Sequence, residues 1–393
     1  MLVLLTRLLG PRIYGSLAAV ASLAVVLGLL PNLGAGFVML ARNTNDDSGT
    51  ADVWRYAWPM TVLLGLFLLV AYVIAAGYIT RPSLSMHILL ALGASELLLT
   101  PFTMLLSFAL QARERVPLSQ AVQWLPLGLK IVATLPCFWF VDEQRLSAYA
   151  TLQLFASMLG AGLGLWITRR YVKLDWRPRR ATLHEFREGA SYAAMNLVAA
   201  NPSELDKIIA VRAIGTHDAG VYAATSRVMA AAVTPVFAML LASQPRLFRH
   251  AREPTREGRR LIYLILILAL AWGTVSGLML TLCSPLLPWL FGESFIGTAK
   301  LMPWLAAVAP FLSLRLAAGT ILVARGRPGE RIGFELCGVF ALVVGMLVLT
   351  PHFGIRGLAM ALVIAELSMA VIGWWLVRHH LIRSAKTMWQ NDD

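Results

Sequence analysis

The chain has 393 residues, of which 58% are hydrophobic and 14% are charged. About a quarter of the residues in a soluble domain are charged. Unbroken apolar runs such as residues 61–79 are too long for strands and have no polar face, so they are predicted to span a membrane. This composition excludes a soluble enzyme, and we interpret the net charge of +13 as topology rather than as affinity for nucleic acid.

Eleven apolar stretches, each bounded by charges or by Pro and Gly, predict transmembrane helices. In chain order their approximate ranges are 13–40, 57–80, 86–111, 118–142, 146–168, 189–212, 217–246, 261–291, 299–323, 332–350 and 353–377. The connections between them are short, and none is long enough for an inserted soluble domain. The predicted fold class is therefore an all-α integral membrane protein.

The basic residues predict the orientation of these helices, because loops on the cytoplasmic side carry an excess of Lys and Arg. Alternate loops divide the 34 basic residues into 23 on one side, 7 on the other and 4 within spans. The largest group lies in the connection 169–188, which we predict to be a basic cytoplasmic linker. Its part 169–180 either lies on an anionic inner leaflet or is a topology determinant and nothing more, and we favour the second interpretation. The C-terminus is predicted to be cytoplasmic.

Metal, cofactor and ATPase motifs are not found in the sequence. The three cysteines, Cys137, Cys283 and Cys337, are far apart and lack metal-ligand spacing. There is no phosphate-binding G-x-x-x-x-G-K-[ST] and no H-E-x-x-H. The His379-His380 pair follows the last predicted span and is interpreted as interfacial or solvated. We therefore expect neither a metal nor a cofactor.

A short motif recurs at an offset of 205 residues: Arg7, Gly10 and Gly15 are matched by Arg212, Gly215 and Gly220. In both copies an apolar stretch precedes the motif and a long span follows it, which indicates two repeated bundles of six helices. The predicted domains are 1–168, with an incomplete first helix, the linker 169–188, and 189–393. The first nine residues rise only about 13 Å, under half of a ~30 Å hydrocarbon core, so this helix is expected to be truncated.

Several short motifs resemble one membrane-protein family along almost the whole chain. In the region 188–248 the first matches are the Asp-Lys pair Asp206-Lys207 and a Gly-x-x-x-x-Gly-x-Tyr turn from Gly215 to Tyr222. They are followed by the basic residue Arg227 and by Pro245-Arg246 at the end of the span. The segments 5–15, 290–295 and 351–357 carry further matches. Together they resemble polysaccharide flippases of the Wzx type, in the multidrug/oligosaccharidyl-lipid/polysaccharide (MOP) superfamily, whose members include the MATE transporters.

This resemblance implies a flippase in the bacterial inner membrane that moves undecaprenyl-diphosphate-linked oligosaccharide units for O-antigen or exopolysaccharide synthesis. Its partners would be the polyprenyl-diphosphate-linked glycan, the membrane lipids and the polysaccharide polymerase machinery. An exporter of small molecules of the MATE branch is the alternative. A membrane-embedded glycosyl-transferring enzyme is disfavoured, because the longest predicted outer connection is only about ten residues and leaves no room for a catalytic loop.

Four cations and five acids fall within the predicted spans, where an unpaired charge costs several kcal/mol. The cations Lys130, Lys207, Arg227 and Arg315 are our candidates for a cationic cavity that binds the substrate diphosphate. The alternative is that each cation neutralises an acid nearby. Three acids, Asp206, Glu96 and Glu366, are candidates for coupling transport to protons. Of the other two, Glu204 is a candidate partner of Lys207, and Glu335 is expected to meet Arg331 one turn earlier.

The predicted helix 189–212 carries a polar stripe. At 100° per residue, Tyr192, Asn196, Ser203 and Lys207 fall within about 60° of one another, with Asp206 on the near flank. We interpret the first three of these side chains as lining the cavity. The alternative is a structural polar cluster in which Lys207 pairs with an acid of the same helix.

Overall fold

A computed structural model describes residues 1–41, 47–80, 84–200, 202–250 and 256–391 of the chain. Within these ranges all the regular structure is helical and there is no strand. The chain divides into two compact units, Met1–Val211 and Arg212–Asp393. We call them unit 1 and unit 2. The domain boundaries that we derived from the sequence stay a prediction.

Unit 1 holds eight helices and the first turns of a ninth. They are α1 (Leu2–Gly28), α2 (Ala35–Ala41), α3 (Asp47–Thr80), α4 (Met86–Ala94), α5 (Thr100–Gln111), α6 (Val116–Thr134), α7 (Asp142–Tyr171), α8 (Leu183–Ala200) and the start of α9 (Pro202–His250). A π-helix, Ser95–Leu99, joins α4 to α5, and a 3₁₀-helix, Leu135–Trp139, follows α6. The predicted span 86–111 is therefore one helix with a π-helical insertion.

Unit 2 holds the remainder of α9 and six further helices. They are α10 (Arg256–Leu282), α11 (Leu287–Phe291), α12 (Gly297–Ala306), α13 (Val308–Ala324), α14 (Pro328–Phe353) and α15 (Ile355–Asn391). Two short 3₁₀-helices, Ser284–Leu286 and Glu293–Phe295, flank α11. Helix α15 packs against both α13 and α14, which brings polar residues of three helices together.

The protein is a multi-pass membrane protein. By length and composition, nine helices of the described residues can cross a membrane, and α12 with α13, bent by 42°, makes a tenth. Eleven spans were predicted. The predicted span 189–212 is not among the helices that can cross a membrane, and it contains residue 201, which lies outside the described residues. Large apolar side chains such as Phe67, Ile74 and Phe340 are exposed on these helices, as expected of surfaces that face lipid.

The two copies of the repeated motif have the same backbone conformation. Gly10 interrupts α1 with φ 67° and ψ 171°, and Gly215 interrupts α9 with φ 81° and ψ 168°. Only glycine adopts this conformation without strain. Each glycine kinks a helix, and the repeat predicted from sequence therefore corresponds to a repeated structural feature.

The segment 172–182, which we name the anchored linker, is extended between α7 and α8. Arg179 holds it in place, because its guanidinium bonds Glu185 through both terminal nitrogens, at 3.1 and 2.9 Å, and reaches Asp52 of α3 at 3.0 Å. Thr182 and Glu185 form a reciprocal capping box at the start of α8. The linker predicted to be basic therefore fixes the entry of α8 against α3.

Trp176 of the anchored linker packs into an aromatic cluster at the start of α3. Its ring centroid lies 5.4 Å from that of Trp54 and 5.6 Å from that of Trp58. The guanidinium carbon of Arg169 lies 5.1 Å from the Trp176 ring centroid, within the range of a cation–π contact. Trp54 is completely buried, so the linker covers part of the core of unit 1.

Candidate functional site

The first candidate cation of unit 1, Lys130, is buried on α6 and pairs with an acid of the π-helix. Its Nζ donates to Glu96 Oε1 at 2.6 Å. Thr100 donates to the other oxygen of Glu96 at 3.3 Å, and the phenol of Tyr72 on α3 interacts with Glu96 electrostatically. A π-helical turn inserts one extra residue into the helix and is frequent at functional sites. Here it carries the acid that neutralises Lys130.

The second cation of unit 1, Lys207, lies near the start of α9 in a cluster with two acids. Its Nζ lies 3.2 Å from Asp206 Oδ1 and 3.9 Å from Glu204 Oε2. Ser22 of α1 donates to Glu204 Oε2 at 2.5 Å. Asp206 is 1% exposed. The predicted i, i+3 pair of Lys207 with Glu204 is present, and the adjacent Asp206 is closer.

Both acid–base groups of unit 1 border helix α1. Ser22 contacts Glu204, and Gly28, almost two turns further along, lies against Glu96, whose backbone oxygen would be 2.9 Å from a Cβ at residue 28. A larger residue at position 28 would therefore push α1 away from the π-helix. Helix α1 therefore contacts both acids, Glu204 through Ser22 and the backbone of Glu96 at Gly28.

In unit 2, Arg315 of α13 is 3% exposed and forms the centre of a network of four charges. Its Nε donates to Glu366 Oε2 of α15 at 2.7 Å, and its Nη1 lies 3.7 Å from Glu335 Oε1 of α14. Arg331, one turn before Glu335, donates to the same Oε1 at 3.0 Å. The expected pair of Arg331 with Glu335 is thus present, inside a larger network. We name these four residues the unit 2 network.

Arg227 differs from the other three candidate cations. It is half-buried on α9, and no hydrogen bond or ion pair joins it to any residue that the structure describes. Among the described residues, Arg227 is therefore the candidate cation without a carboxylate partner.

The remaining predicted side chains, Tyr192, Asn196 and Ser203, lie outside the residues whose side chains the structure describes. The predicted helix that carries them includes residue 201, which lies outside the described residues; α8 is described up to Ala200 and α9 from Pro202. Tyr192 and Asn196 belong to α8, and Ser203 belongs to α9. Their predicted role in lining the cavity stays a prediction.

The structure joins two sets of candidates that were predicted separately. Each acid proposed for proton coupling is the partner of a cation proposed for diphosphate binding. These pairs are Glu96 with Lys130, Asp206 with Lys207, and Glu366 with Arg315. Sequence reasoning missed the contacts of Ser22 with Glu204 and of Arg315 with Glu335, because nothing local to either residue indicates them.

A carboxylate and a phosphate compete for the same cation, since both are anionic oxygen acceptors. A cation held by a carboxylate is therefore able to bind phosphate by exchange, and protonation of the carboxylate makes the exchange easier.

In the described residues there is no cluster of three or more His, Cys, Asp or Glu with metal-binding geometry. His380 bonds Glu330 at 2.7 Å, and His379 stacks on Trp375.

Two arginines outside the spans have shifted pKa values. The hydrogen bonds from Arg179 to Glu185 raise the pKa of that guanidinium, so the anchored linker keeps its charge at every physiological pH. Burial lowers the pKa of Arg325 at the end of α13.

Solved structures with this fold are MOP superfamily transporters. The chain is similar to an inward-facing multidrug resistance MATE family transporter, with TM-score 0.82, 16% identity and coverage of 98% of this chain and 94% of that chain. An outward-facing multidrug resistance MATE family transporter gives TM-score 0.68 at 16% identity, with coverage of 98% of this chain and 92% of that chain. A MOP superfamily transporter from Pyrococcus furiosus, described as having a binding pocket of reverse polarity, gives TM-score 0.67 at 15% identity. The coverage is 98% of this chain and 91% of that chain.

These likenesses confirm the predicted fold class, an all-α membrane protein with the MOP fold. No curated protein matches the sequence significantly. A family model described as polysaccharide biosynthesis protein matches residues 1–250, which is more than half of the chain. The chain therefore belongs to the polysaccharide biosynthesis protein family, as its resemblance to the Wzx-type flippases predicted.

Proposed function

We propose that this protein is a flippase, without enzymatic activity, that moves a polyprenyl-diphosphate-linked oligosaccharide outward across the bacterial inner membrane. Its membership of the polysaccharide biosynthesis family and its MOP fold support this function. The observation that carries it is the burial of Lys130, Lys207 and Arg315, each held by a carboxylate. Buried cations with exchangeable partners suit a transient diphosphate better than a permanent ligand.

In this proposal the substrate diphosphate replaces carboxylates as the partner of the buried cations. Arg227, which has no partner among the described residues, binds first, because no ion pair must be broken there. Protonation of Glu96, Asp206 or Glu366 then frees the cation that each acid holds. By linkage, an acid that gains a proton when substrate binds also favours substrate binding when it is protonated. Tyr192, Asn196 and Ser203 are proposed to line the same cavity.

The experiment replaces Lys207, Arg227 and Arg315 together by uncharged residues (Lys207→Gln, Arg227→Gln and Arg315→Gln) in a strain that depends on this protein for its polysaccharide. We expect lipid-linked oligosaccharide to accumulate on the inner face and polymer to be lost. The measurement is the labelling of lipid-linked sugar from the outer face of spheroplasts. The matched control is Lys300→Gln, an exposed lysine of α12, for which export is expected to be unchanged.

If the triple variant, present in the membrane at the normal level, exports lipid-linked sugar and forms polymer normally, the cationic cavity is wrong. The single variant Arg227→Gln then separates the parts of the proposal. It removes no ion pair of the described structure, so a loss of export there reflects substrate binding rather than an unpaired buried acid.

The alternative function is the export of small molecules, as in the MATE branch. The fold likeness to multidrug resistance MATE transporters favours this candidate. An exporter of organic cations needs a buried acid free to meet its substrate, whereas Glu96, Asp206 and Glu366 are each held by a cation. The deletion strain distinguishes the two functions: hypersensitivity to cationic drugs with normal polymer supports the exporter, and lost polymer with normal drug resistance supports the flippase.

A further inference from the structure

Three arginines at one end of unit 1 lie over aromatic rings instead of beside carboxylates. Each guanidinium carbon is within the range of a cation–π contact: Arg170 is 3.8 Å from the ring centroid of Trp166, Arg169 is 5.1 Å from that of Trp176, and Arg115 is 5.2 Å from that of Tyr171. We name these six residues the basic edge. Its three arginines are exposed, and their side chains have no hydrogen bond or ion pair with any residue that the structure describes.

The acids of the anchored linker and its surroundings are held by two other arginines. Arg55 lies 3.6 Å from Asp175, and Arg179 bonds Asp52 and Glu185. Glu114, beside Arg115 in the turn between α5 and α6, is exposed. Further exposed cations of the anchored linker are Lys173, Arg177 and Arg180. The described part of this surface therefore carries a surplus of positive charge.

The basic edge lies where membrane spans begin and end. The candidate spans Met86–Gln111, Val116–Trp139 and Gln144–Tyr171 follow one another, so the end of the first, the start of the second and the end of the third meet one face of the membrane. Trp166 exposes 54% of its surface, and an exposed Trp near the end of a span lies at the level of the lipid headgroups.

The direction of the helix brings Arg170 to the same level. Side chains of an α-helix lean towards its N-terminus, and the N-terminus of α7 lies across the membrane from this face. The side chain of Arg170 therefore leans back over Trp166, one turn nearer the hydrocarbon core. This geometry places its guanidinium at the depth of lipid phosphates and not in bulk water.

A guanidinium stacked on a ring keeps its hydrogen-bond donors available. The ring contacts the flat face of the group, whereas the N–H donors point outward in its plane. A phosphate presents pairs of anionic oxygens that match this fork of donors. An exposed aromatic side chain beside the arginine offers an apolar contact to the rest of a lipid molecule. The basic edge thus combines the two chemical features that an anionic lipid requires.

We propose that the basic edge binds the phosphodiester headgroup of an anionic phospholipid of the membrane. Arg115, Arg169 and Arg170 donate to the headgroup, and Trp166 and Tyr171 pack against the lipid at the interface. The sequence favoured a role in topology alone for the segment 169–180, and the stacked arginines are the observation that it lacked. This site is separate from the candidate cations within the spans and does not depend on the transported substrate.

The experiment is native mass spectrometry of the purified full-length protein in detergent, with equal concentrations of phosphatidylglycerol and phosphatidylcholine. The measured quantity is the ratio of the two lipids bound to the protein. We expect Arg115→Gln, Arg169→Gln and Arg170→Gln together to lower this ratio by about tenfold or more, since each cation near a membrane surface contributes roughly fivefold to the binding of anionic lipid. Replacing the same arginines by lysine keeps the charge that directs topology and is expected to lower the ratio by less.

Two matched controls distinguish a built site from charge alone. The triple variant Arg12→Gln, Lys300→Gln and Arg356→Gln removes the same charge from exposed positions outside the basic edge and is expected to keep the wild-type ratio. Trp166→Leu keeps every charge and removes the ring under Arg170, so the ratio is expected to fall by about two- to fivefold. Trp166→Phe keeps a ring and is expected to retain most of the preference.

Three results would overturn the proposal. If the control triple variant lowers the ratio as much as the variant of the basic edge, the preference follows net charge and no site exists. If the lysine variant and Trp166→Leu both keep the wild-type ratio, the basic residues act in topology alone, even where the glutamine variant fails to fold. If glycerol 3-phosphate at the concentration of the lipid displaces the bound phosphatidylglycerol, the site takes a free phosphate and not a lipid.

Discussion

At the scale of single residues, three of the four candidate cations are neutralised within their own unit. Lys130, Lys207 and Arg315 each lie within 3.2 Å of a carboxylate oxygen, and only Arg227 has no partner among the described residues. A complete ion pair that is buried away from water contributes little net free energy to the stability of a protein. Deleting one partner destabilises the protein strongly, because the other charge is left unpaired. These pairs therefore keep charge inside the protein without adding greatly to its stability.

This asymmetry is testable at Lys130. We expect Lys130→Met to lower the free energy of unfolding by up to about 3–5 kcal/mol, the range for breaking a buried pair, because Glu96 is left without its cation. Glu96→Gln is expected to cost as much or less, and the double variant is expected to recover most of the loss. The measurement is thermal unfolding in detergent.

The exposed Lys300→Met is the control for the removal of an ammonium group, and no change in unfolding temperature is expected. If the double variant were as unstable as the sum of the two single variants, Lys130 and Glu96 would not act as a pair.

At the scale of the elements, two glycines at equivalent positions of a repeat set the direction of two long helices. A Cβ added at Gly10 or Gly215 would meet nothing within 4 Å, so space does not explain these glycines. Their positive φ angles, 67° and 81°, explain why both positions are glycine. The backbone conformation alone requires glycine at both kinks, and steric crowding plays no part.

The kink is testable by replacing each glycine with alanine. Gly215→Ala and Gly10→Ala are each expected to cost about 1–3 kcal/mol, the range for a non-glycine residue held in such a conformation. Gly77→Ala in α3 is the matched control, because a Cβ there also meets nothing within 4 Å and its backbone is helical. That change is expected to stabilise by about 0.5–1 kcal/mol, the difference in helix propensity. Equal unfolding temperatures for Gly77→Ala and Gly215→Ala would contradict the role of φ.

At the scale of the whole molecule, the loops carry the information on orientation. In the prediction of eleven spans, 23 of the 34 basic residues fall on the side that we propose to be cytoplasmic and 7 on the other. Insertion follows the distribution of Lys and Arg rather than the net charge. In that prediction the basic anchored linker and the C-terminus are both on the Arg-rich side.

This orientation predicts the behaviour of fusions to the C-terminus. A green fluorescent protein fused after Asp393 is expected to fluoresce, and alkaline phosphatase fused there is expected to be inactive, because the C-terminus is proposed to be cytoplasmic. Fusion of each reporter after Ser85, between α3 and α4, is the control and is expected to give the opposite result. Active phosphatase at Asp393 would reverse the proposed topology.

Most of the fold was predictable because an apolar run in a membrane must satisfy its own backbone hydrogen bonds, and a helix does so locally. The motif that contains Gly10 and Gly215 was found as a repeat in the sequence, but the kinks at these glycines were not predicted. The π-helix Ser95–Leu99 was not predictable from the sequence, since no residue type requires a π-helix.

The partners of the buried charges were predictable only in part. The pair of Arg331 with Glu335 is separated by one helical turn, and sequence spacing found it. Lys130 and Glu96 are 34 residues apart, and Arg315 and Glu366 are 51 residues apart. Which of them meet depends on how apolar helices rotate and pack against one another, and local sequence does not specify this rotation.

The neutrality of the buried pairs has a consequence for the membrane voltage. If the carboxylates recover their cations after release, the three pairs carry no net charge when the empty protein returns, and their contribution to the charge moved in each cycle is zero. A voltage acts on each elementary charge with about 2.3 kcal/mol per 100 mV. In the proposed function an anionic diphosphate leaves a cell whose interior is negative, so the resting potential itself drives export, and every proton carried outward with the substrate reduces that contribution.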